Sequence, residues 1–336
     1  MAEEWNRSTS VGDELDRPRR QQVDLADGEA PAKLEQPRHG AEVMTVADAI
    51  AYNAQRAKQR MGLAMNVADR HTTGDTRAIT SVIDGQIAIL TLNRPASRNA
   101  LSEEMISELH AAIDKIAADD AIRAVVIAAR GPAFCAGHDL RELTARRADP
   151  DGGRAYFHKI MTSCSAMMQA IVSLPKPVIA CVQGIATAAG CQLVATCDLA
   201  IASDKASFAT PGVDIGLFCT TPIVALSRNV PAKNAMEMAF TGEPVPAARA
   251  REIGLVNQVV PDGTERDAAF RLAQTCAAKP PRVIAMGKAA FYWQREMTLA
   301  DAYAHATEVM TENMMLQDAD EGIRAFLEKR DPRWPD

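Results

Sequence analysis

Nowhere in this sequence does an unbroken apolar run approach the ~20 residues that a membrane-crossing helix needs. The longest candidate, PVIACVQGIATAAG, is interrupted by polar residues and glycine, so a soluble chain with no membrane span is expected. An excess of basic residues is also missing: 37 Lys and Arg stand against 43 Asp and Glu, a net charge of -6. That balance offers no face for a phosphate backbone and excludes nucleic acid as the expected partner. The seven cysteines include no CxxC pair and no Cys/His spacing of the zinc-site kind, and Cys181, Cys191 and Cys197 cluster in an apolar stretch. No metal site is indicated, only buried, reduced thiols of a cytosol-like compartment. A GxSxG nucleophile turn is absent too, and no histidine partner for an activated thiolate can be identified.

What is present begins with apolar material, 47% of 336 residues, enough for one large domain with a sizeable core or two modest ones. Residues 1–43 do not share in it. Glu, Asp, Arg, Pro and Gln dominate there, and the segment cannot bury enough surface to offset its ordering entropy, so a disordered tail is expected. Its acids, Glu3, Glu4, Asp13, Glu14 and Asp16, argue against a mitochondrial transit peptide, and a cytoplasmic location follows. Over 44–75, Thr45 resembles a helix cap, and Val46, Ile50, Ala54, Ala57, Met61 and Ala64 recur at helical spacing. The cations Arg56, Lys58 and Arg60 read as the solvated face of this N-terminal helical extension.

The folded body is expected over 76–265. TSVI and QIAILTLN, joined at Asp84-Gly85, read as a β-hairpin. SEEMISELHAAIDKIAAD follows, with Ser102 as its cap and Met105, Ile106, Leu109, Ile113 and Ile116 on one helical face; IRAVVIAAR is then a buried strand. A helix over 153–173, a strand KPVIACV, a short helix from Ala189 and a strand DLAIAS continue the alternation, which indicates an α/β fold. After Pro231 the pattern turns helical, with only GLVNQVV strand-like, and 266–336 is expected to form a helical C-terminal region.

Two turns stand out chemically. FCAGHDL (134–140) and GIATAAGCQL (184–193) each set small residues before a helix, which leaves main-chain N–H groups open to a ligand. Either alone is a common packing device, and their pairing is more specific. Together with LNRPASRNAL, KPVIACVQG, DLAIAS, FATPGVDIGL and EGIRAFLEKRDP, they follow the order of the enoyl-CoA hydratase/isomerase (crotonase) family. The chain resembles that family over residues 80–332, and most nearly its enoyl-CoA hydratase domain-containing subgroup, whose eukaryotic members are mitochondrial. The resemblance implies a crotonase fold, a spiral of ββα units whose C-terminal helices assemble homotrimers and often hexamers. It implies an acyl-CoA substrate, with coenzyme A carried by that substrate and no separate cofactor, and, for a eukaryotic owner, the mitochondrial matrix as the alternative location. By the same resemblance, the main-chain N–H groups of His138 and Ala189 form an oxyanion hole, where preorganised donors stabilise the charge that a thioester carbonyl gains on becoming an enolate. The coenzyme A path would pass Ser97 and Arg98, then Ala136, His138, Asp139 and Leu140. Lys288 would stand where a neighbouring subunit reaches the nucleotide phosphates.

The sequence departs from the hydratases at the two positions of their catalytic glutamates, here Gln192 and Gly212. An amide takes up no proton at neutral pH and glycine has no side chain, so hydration by two carboxylates is not expected. Gln192 either holds a water or substrate group or fills the space of the lost carboxylate. Asp214 is the nearest carboxylate in sequence, and on a strand it would share a face with Gly212, in a catalytic or a merely structural role. His138 and His158 are further candidates against a lining role; Cys135, Cys191 and Cys219 read as small buried hydrophobes. The expectation is an enzyme that stabilises a thioester enolate without standard hydration, or else a non-catalytic acyl-CoA-binding or scaffold protein.

Overall fold

The computed structural model describes residues 77–334, so the expected tail over 1–43 and the helix over 44–75 lie outside the described residues. The described chain opens on the expected hairpin. β1 (Ile79–Asp84) and β2 (Ile87–Leu92) pair antiparallel, and Gly85 turns between them at φ +58°, a conformation that strains any residue with a side chain. Helix α1 (Glu103–Ala117) starts where Ser102 Oγ accepts the Met105 N–H at 3.2 Å, with Glu103 and Glu104 at its positive end. It buries the five apolar residues that its sequence spacing predicts.

Three repeats of one unit follow. β3 (Ala124–Ala129), β5 (Val178–Val182) and β7 (Leu199–Ser203) enter a large sheet; β4 (Ala133–Cys135), β6 (Ile185–Thr187) and β8 (Ser207–Ala209) each peel off into a small one. Helices then return the chain: α2 (Leu140–Ala145) and α3 (Arg154–Ser173) after β4, α4 (Ala189–Thr196) after β6, and α5 (Thr220–Leu226) after β8. α6 (Ala232–Thr241), β9 (Val245–Pro246), α7 (Ala247–Glu252) and β10 (Gln258–Val260) close the two sheets. Their orders are β1-β2-β3-β5-β7-β10 and β4-β6-β8-β9, parallel except for the β1/β2 and β8/β9 pairs. This is the spiral of ββα units that the resemblance implies.

β3 is buried along its whole length because both faces of the large sheet are covered. Val125 and Ile127 belong to the main core with α1 and α3, whereas Ala124, Val126 and Ala128 face a second core under Ala268, Ala269 and Ala273 of α8 (Glu265–Ala277). The alanines on that side let the helix come close. Beyond it, α9 (Pro281–Gln294), α10 (Leu299–Met314) and α11 (Gln317–Leu327) form the helical C-terminal region, with a small core of their own around Met286 and Val309. Among the described residues, no helix is long and apolar enough to cross a membrane.

Candidate active site

β4 and β6 lie side by side and parallel, so the turns leaving their C-terminal ends are neighbours. Gly137, at φ +83°, lets those turns touch: a Cβ there would lie 2.9 Å from Ala188 Cβ, 3.1 Å from the Thr187 carbonyl oxygen and 3.3 Å from Ala189 N. Gly190 seats α4 on the end of β4, since a Cβ at that position would fall 2.1 Å from the Cys135 carbonyl oxygen. Ala188 is held at φ +49°, ψ −119°, a costly conformation for a residue with a side chain, and its N–H donates to the Ala209 carbonyl at 2.9 Å. Ala189 therefore opens α4 with an N–H that has no acceptor inside the helix. On the other turn, the Leu101 N–H donates to Gly137 O at 2.8 Å and the Asp139 N–H to Leu101 O at 3.3 Å. That pattern points the His138 N–H away from Leu101. Among the described residues, neither the His138 nor the Ala189 amide meets an acceptor.

The segment assigned to coenzyme A runs along the same seam. After the 3-10 turn Pro95–Ser97, Arg98 and Asn99 both take left-handed backbone conformations, and the Ala136 N–H donates to Arg98 O at 3.0 Å. Arg98, Ala136, His138 and Asp139 are thus brought together, with Ser97, Arg98 and Leu140 exposed beside them. Asn99, which the sequence reading passed over, holds this seam from below. It is fully buried; its Oδ1 accepts the Arg94 N–H at 2.8 Å, and its Nδ2 donates to Arg130 O and Ala133 O, both at 2.9 Å. The Asp139 carboxylate caps α2, where Oδ1 accepts the N–H groups of Arg141 and Glu142 at 2.9 and 3.2 Å.

Three buried polar atoms on the segments around these amides have no partner among the described residues: His138 Nε2, Gln192 Oε1 and Thr210 Oγ1. Gln192 is 5% exposed and lies three residues after Ala189, on the same face of α4 and about 4.5 Å further along its axis. Thr210 is fully buried and follows Ala209, the residue that accepts from Ala188. Its one sequence signal is its place before Pro211-Gly212. Burial holds the His138 imidazole below the ordinary histidine range, so it is neutral at pH 7. Burial likewise pushes the Cys135 and Cys191 thiols up to about 12 and raises that of Cys219, so none supplies a thiolate. The described residues contain no group of three or more His, Cys, Asp or Glu able to hold a metal.

Two candidates are not where the sequence reading puts them. Asp214 is on no strand: Pro211–Ile215 forms a 3-10 helix, in which residues two apart point roughly 120° away from each other. Asp214 is exposed, with Oδ2 at 3.1 Å from where a Cβ on Gly242 would stand. Lys288 does not stand open to nucleotide phosphates. Its side chain is 8% exposed, and Nζ donates to Asp198 Oδ2 at 2.6 Å and to the carbonyls of Ile171 and Lys176 at 3.0 Å. All three N–H groups are engaged inside the fold, so the ammonium is not free for a phosphate. His158 is exposed on α3. Gly212 is closed over by the loop behind it, because a Cβ would lie 2.7 Å from Leu217 O and 2.9 Å from Cys219 Sγ.

The family model described as enoyl-CoA hydratase/isomerase matches residues 83–336. The chain belongs to that family. Within it, the chain is similar to the rat "Enoyl-CoA hydratase domain-containing protein 3, mitochondrial", 47% identical over 73% of this chain and 80% of that one. A more distant relative, the 2,3-dehydroadipyl-CoA hydratase of Escherichia coli K12, is 32% identical over 74% of this chain and 94% of its own length. Among solved structures, an enoyl-CoA hydratase of Mycobacterium smegmatis is 51% identical, with a TM-score of 0.73 over 76% of this chain and 98% of that one. The human enoyl Coenzyme A hydratase domain-containing protein 3 is 45% identical, with a TM-score of 0.73 over 77% of this chain and all of its own. The crotonase family thus accounts for the spiral and for the helical C-terminal region.

Proposed function

We propose that this protein binds acyl-CoA thioesters, polarises the thioester carbonyl between the main-chain N–H groups of His138 and Ala189, and performs enolate chemistry other than hydration by two carboxylates. The observation that carries this reading is the contact at Gly137, which lays two acceptor-free amides side by side at the ends of β4 and β6. Two such donors in a dry site act on charge as it develops, and each is worth roughly 100- to 1,000-fold in rate. Gln192 and Gly212 supply no acid or base, and the thiols stay protonated; on these two turns His138, neutral at pH 7, offers an imidazole whose Nε2 has no partner among the described residues. Ser97, Arg98, Ala136, Asp139 and Leu140 form the coenzyme A side of the site.

The mitochondrial names of the rat and human relatives fit the matrix alternative better than the cytoplasmic one. The apolar side chains of Leu299, Tyr303, Met315, Phe326 and Leu327, 70–81% exposed on the C-terminal helices, support assembly into a homotrimer or hexamer. A panel of acyl-CoA esters, followed for turnover and for α-proton exchange into deuterated water, tests the enzymatic reading. Tight binding without either activity would favour the non-catalytic acyl-CoA-binding alternative, which the loss of both carboxylates motivates.

A further inference from the structure

Met286 is the one apolar residue of helix α9 that is buried, and it packs into the small C-terminal core and not into the main one. What ties α9 to the α/β body here is polar. Lys288 Nζ donates to Asp198 Oδ2 and to the carbonyls of Ile171 and Lys176, and Tyr292, one turn along, donates its hydroxyl to Asp198 Oδ1 at 2.9 Å. Asp198 Oδ2 also accepts the Val178 N–H at 2.8 Å. One ammonium and one carboxylate therefore join the end of α3, the entry of β5 and the exit of α4, since Asp198 is the second residue after that helix.

All eight residues of α4 are buried along its length of about 12 Å, so both ends are set by what packs against them. Its N-terminal end, with Ala189 and Gly190, is pressed on β4; its C-terminal end is held through Asp198. We propose that Lys288 and Tyr292 are positioning residues: through Asp198 they fix the far end of α4 and so aim the Ala189 amide and the Gln192 side chain at the substrate. The inference rests on the thioester reading above, and it makes the docking of the C-terminal helices a determinant of the site's alignment.

The test is isotope-edited infrared spectroscopy of a bound 13C-carbonyl acyl-CoA, with the dissociation constant for coenzyme A lacking an acyl group measured in parallel. Tyr292→Phe removes one hydrogen bond from the latch, and Lys288→Met removes the ammonium while keeping the stem. Trp334→Phe serves as control, because it cuts a different C-terminal tether, the 3.1 Å bond from Trp334 Nε1 to Ala278 O. Both latch variants should move the carbonyl stretch back toward its free value and lower turnover roughly 10- to 100-fold, as expected of a displacement of up to ~1 Å. Binding of the acyl-free coenzyme should stay within about twofold, and the control should keep the full carbonyl shift. A full shift in folded Tyr292→Phe, with Lys288→Met either equally shifted or too unstable to fold, would overturn the proposal. Absence of any shift in the unaltered protein would instead refute the thioester reading itself.

Discussion

Gly190→Ala sets two opposed effects against each other, helix propensity and a backbone clash. In a helix, alanine is favoured over glycine by roughly 1 kcal/mol, so propensity alone predicts a more stable protein. At this site the added Cβ would lie 2.1 Å from Cys135 O and 2.8 Å from Cys135 C and Cβ, all but the last of them backbone atoms that cannot swing aside. Restoring a contact near 3 Å requires α4 and β4 to part by about 0.9 Å, against an overpacking cost of about 1–3 kcal/mol. The net expectation is a loss of up to about 2 kcal/mol, read as a lower urea midpoint. The same displacement moves the Ala189 amide relative to the His138 turn, and a misplacement of that size costs about 100-fold in a reaction that depends on alignment. Turnover should therefore fall further than stability can explain at a temperature where the variant is folded. A variant as stable and as active as the unaltered chain would sink the argument, because it would mean that α4 is not seated on β4 as described.

The depressed pKa of His138 has a sign that unfolding can check. The unfolded chain takes up its proton near pH 6.5 while the folded one resists until lower pH, so stability is fully present above about 6.5 and falls as acid is added toward the folded value. His138→Gln, which keeps the backbone amide, should flatten that acid-side slope in urea titrations, and an unchanged slope refutes the assignment. Gln192→Glu combined with Gly212→Glu should not restore crotonyl-CoA hydration, because a stem at 212 meets Leu217 O at 2.7 Å. A folded double variant gaining on the order of 100-fold would show that the loop yields. Gly212→Ala alone should cost about 1–3 kcal/mol by thermal or urea unfolding for the same reason. Phe326→Asp with Leu327→Asp should lower the mass measured by light scattering toward that of one chain, and an undiminished mass would place the subunit contact elsewhere.

Much of the fold is legible because periodicity depends on which face is buried. The cap at Ser102 and the stripe from Met105 to Ile116 specify α1 before any tertiary contact is known, and the structure buries those residues. β3 reads as a buried strand from composition alone, but its division between two cores, with alanines toward α8, depends on what covers each face. α8 is likewise legible as a helix while its place on the large sheet is not. Periodicity names the inward face of a helix; it does not say which layer receives it.

At the site, the legible features are steric and the illegible ones are partnerships. Small residues at Gly137, Ala189 and Gly190 advertise close backbone approach, and the contacts of 2.1–3.3 Å that a Cβ would make show how close. The places of Lys288 and Asp214 are not legible, because a charged side chain carries no mark of its partner: Asp198, 90 residues away, claims one, and a 3-10 helix turns the other outward. The residue types of Thr210 and Asn99 give no signal in the sequence, because neither suggests a buried role.

The substitution that looks like a loss, glutamate to Gln192, has an electrostatic consequence on the reading proposed above. A carboxylate one helical turn from Ala189 would stand about 5 Å from a developing enolate oxygen and oppose it by about 3 kcal/mol at an effective dielectric of about 20. With Gln192, Thr210, a neutral His138 and protonated thiols around the two amides, the carboxylate on these turns is that of Asp139, which is engaged by the N–H groups of Arg141 and Glu142. On that reading, the site lacks the two carboxylates that move protons in hydration while presenting the donors that would hold negative charge.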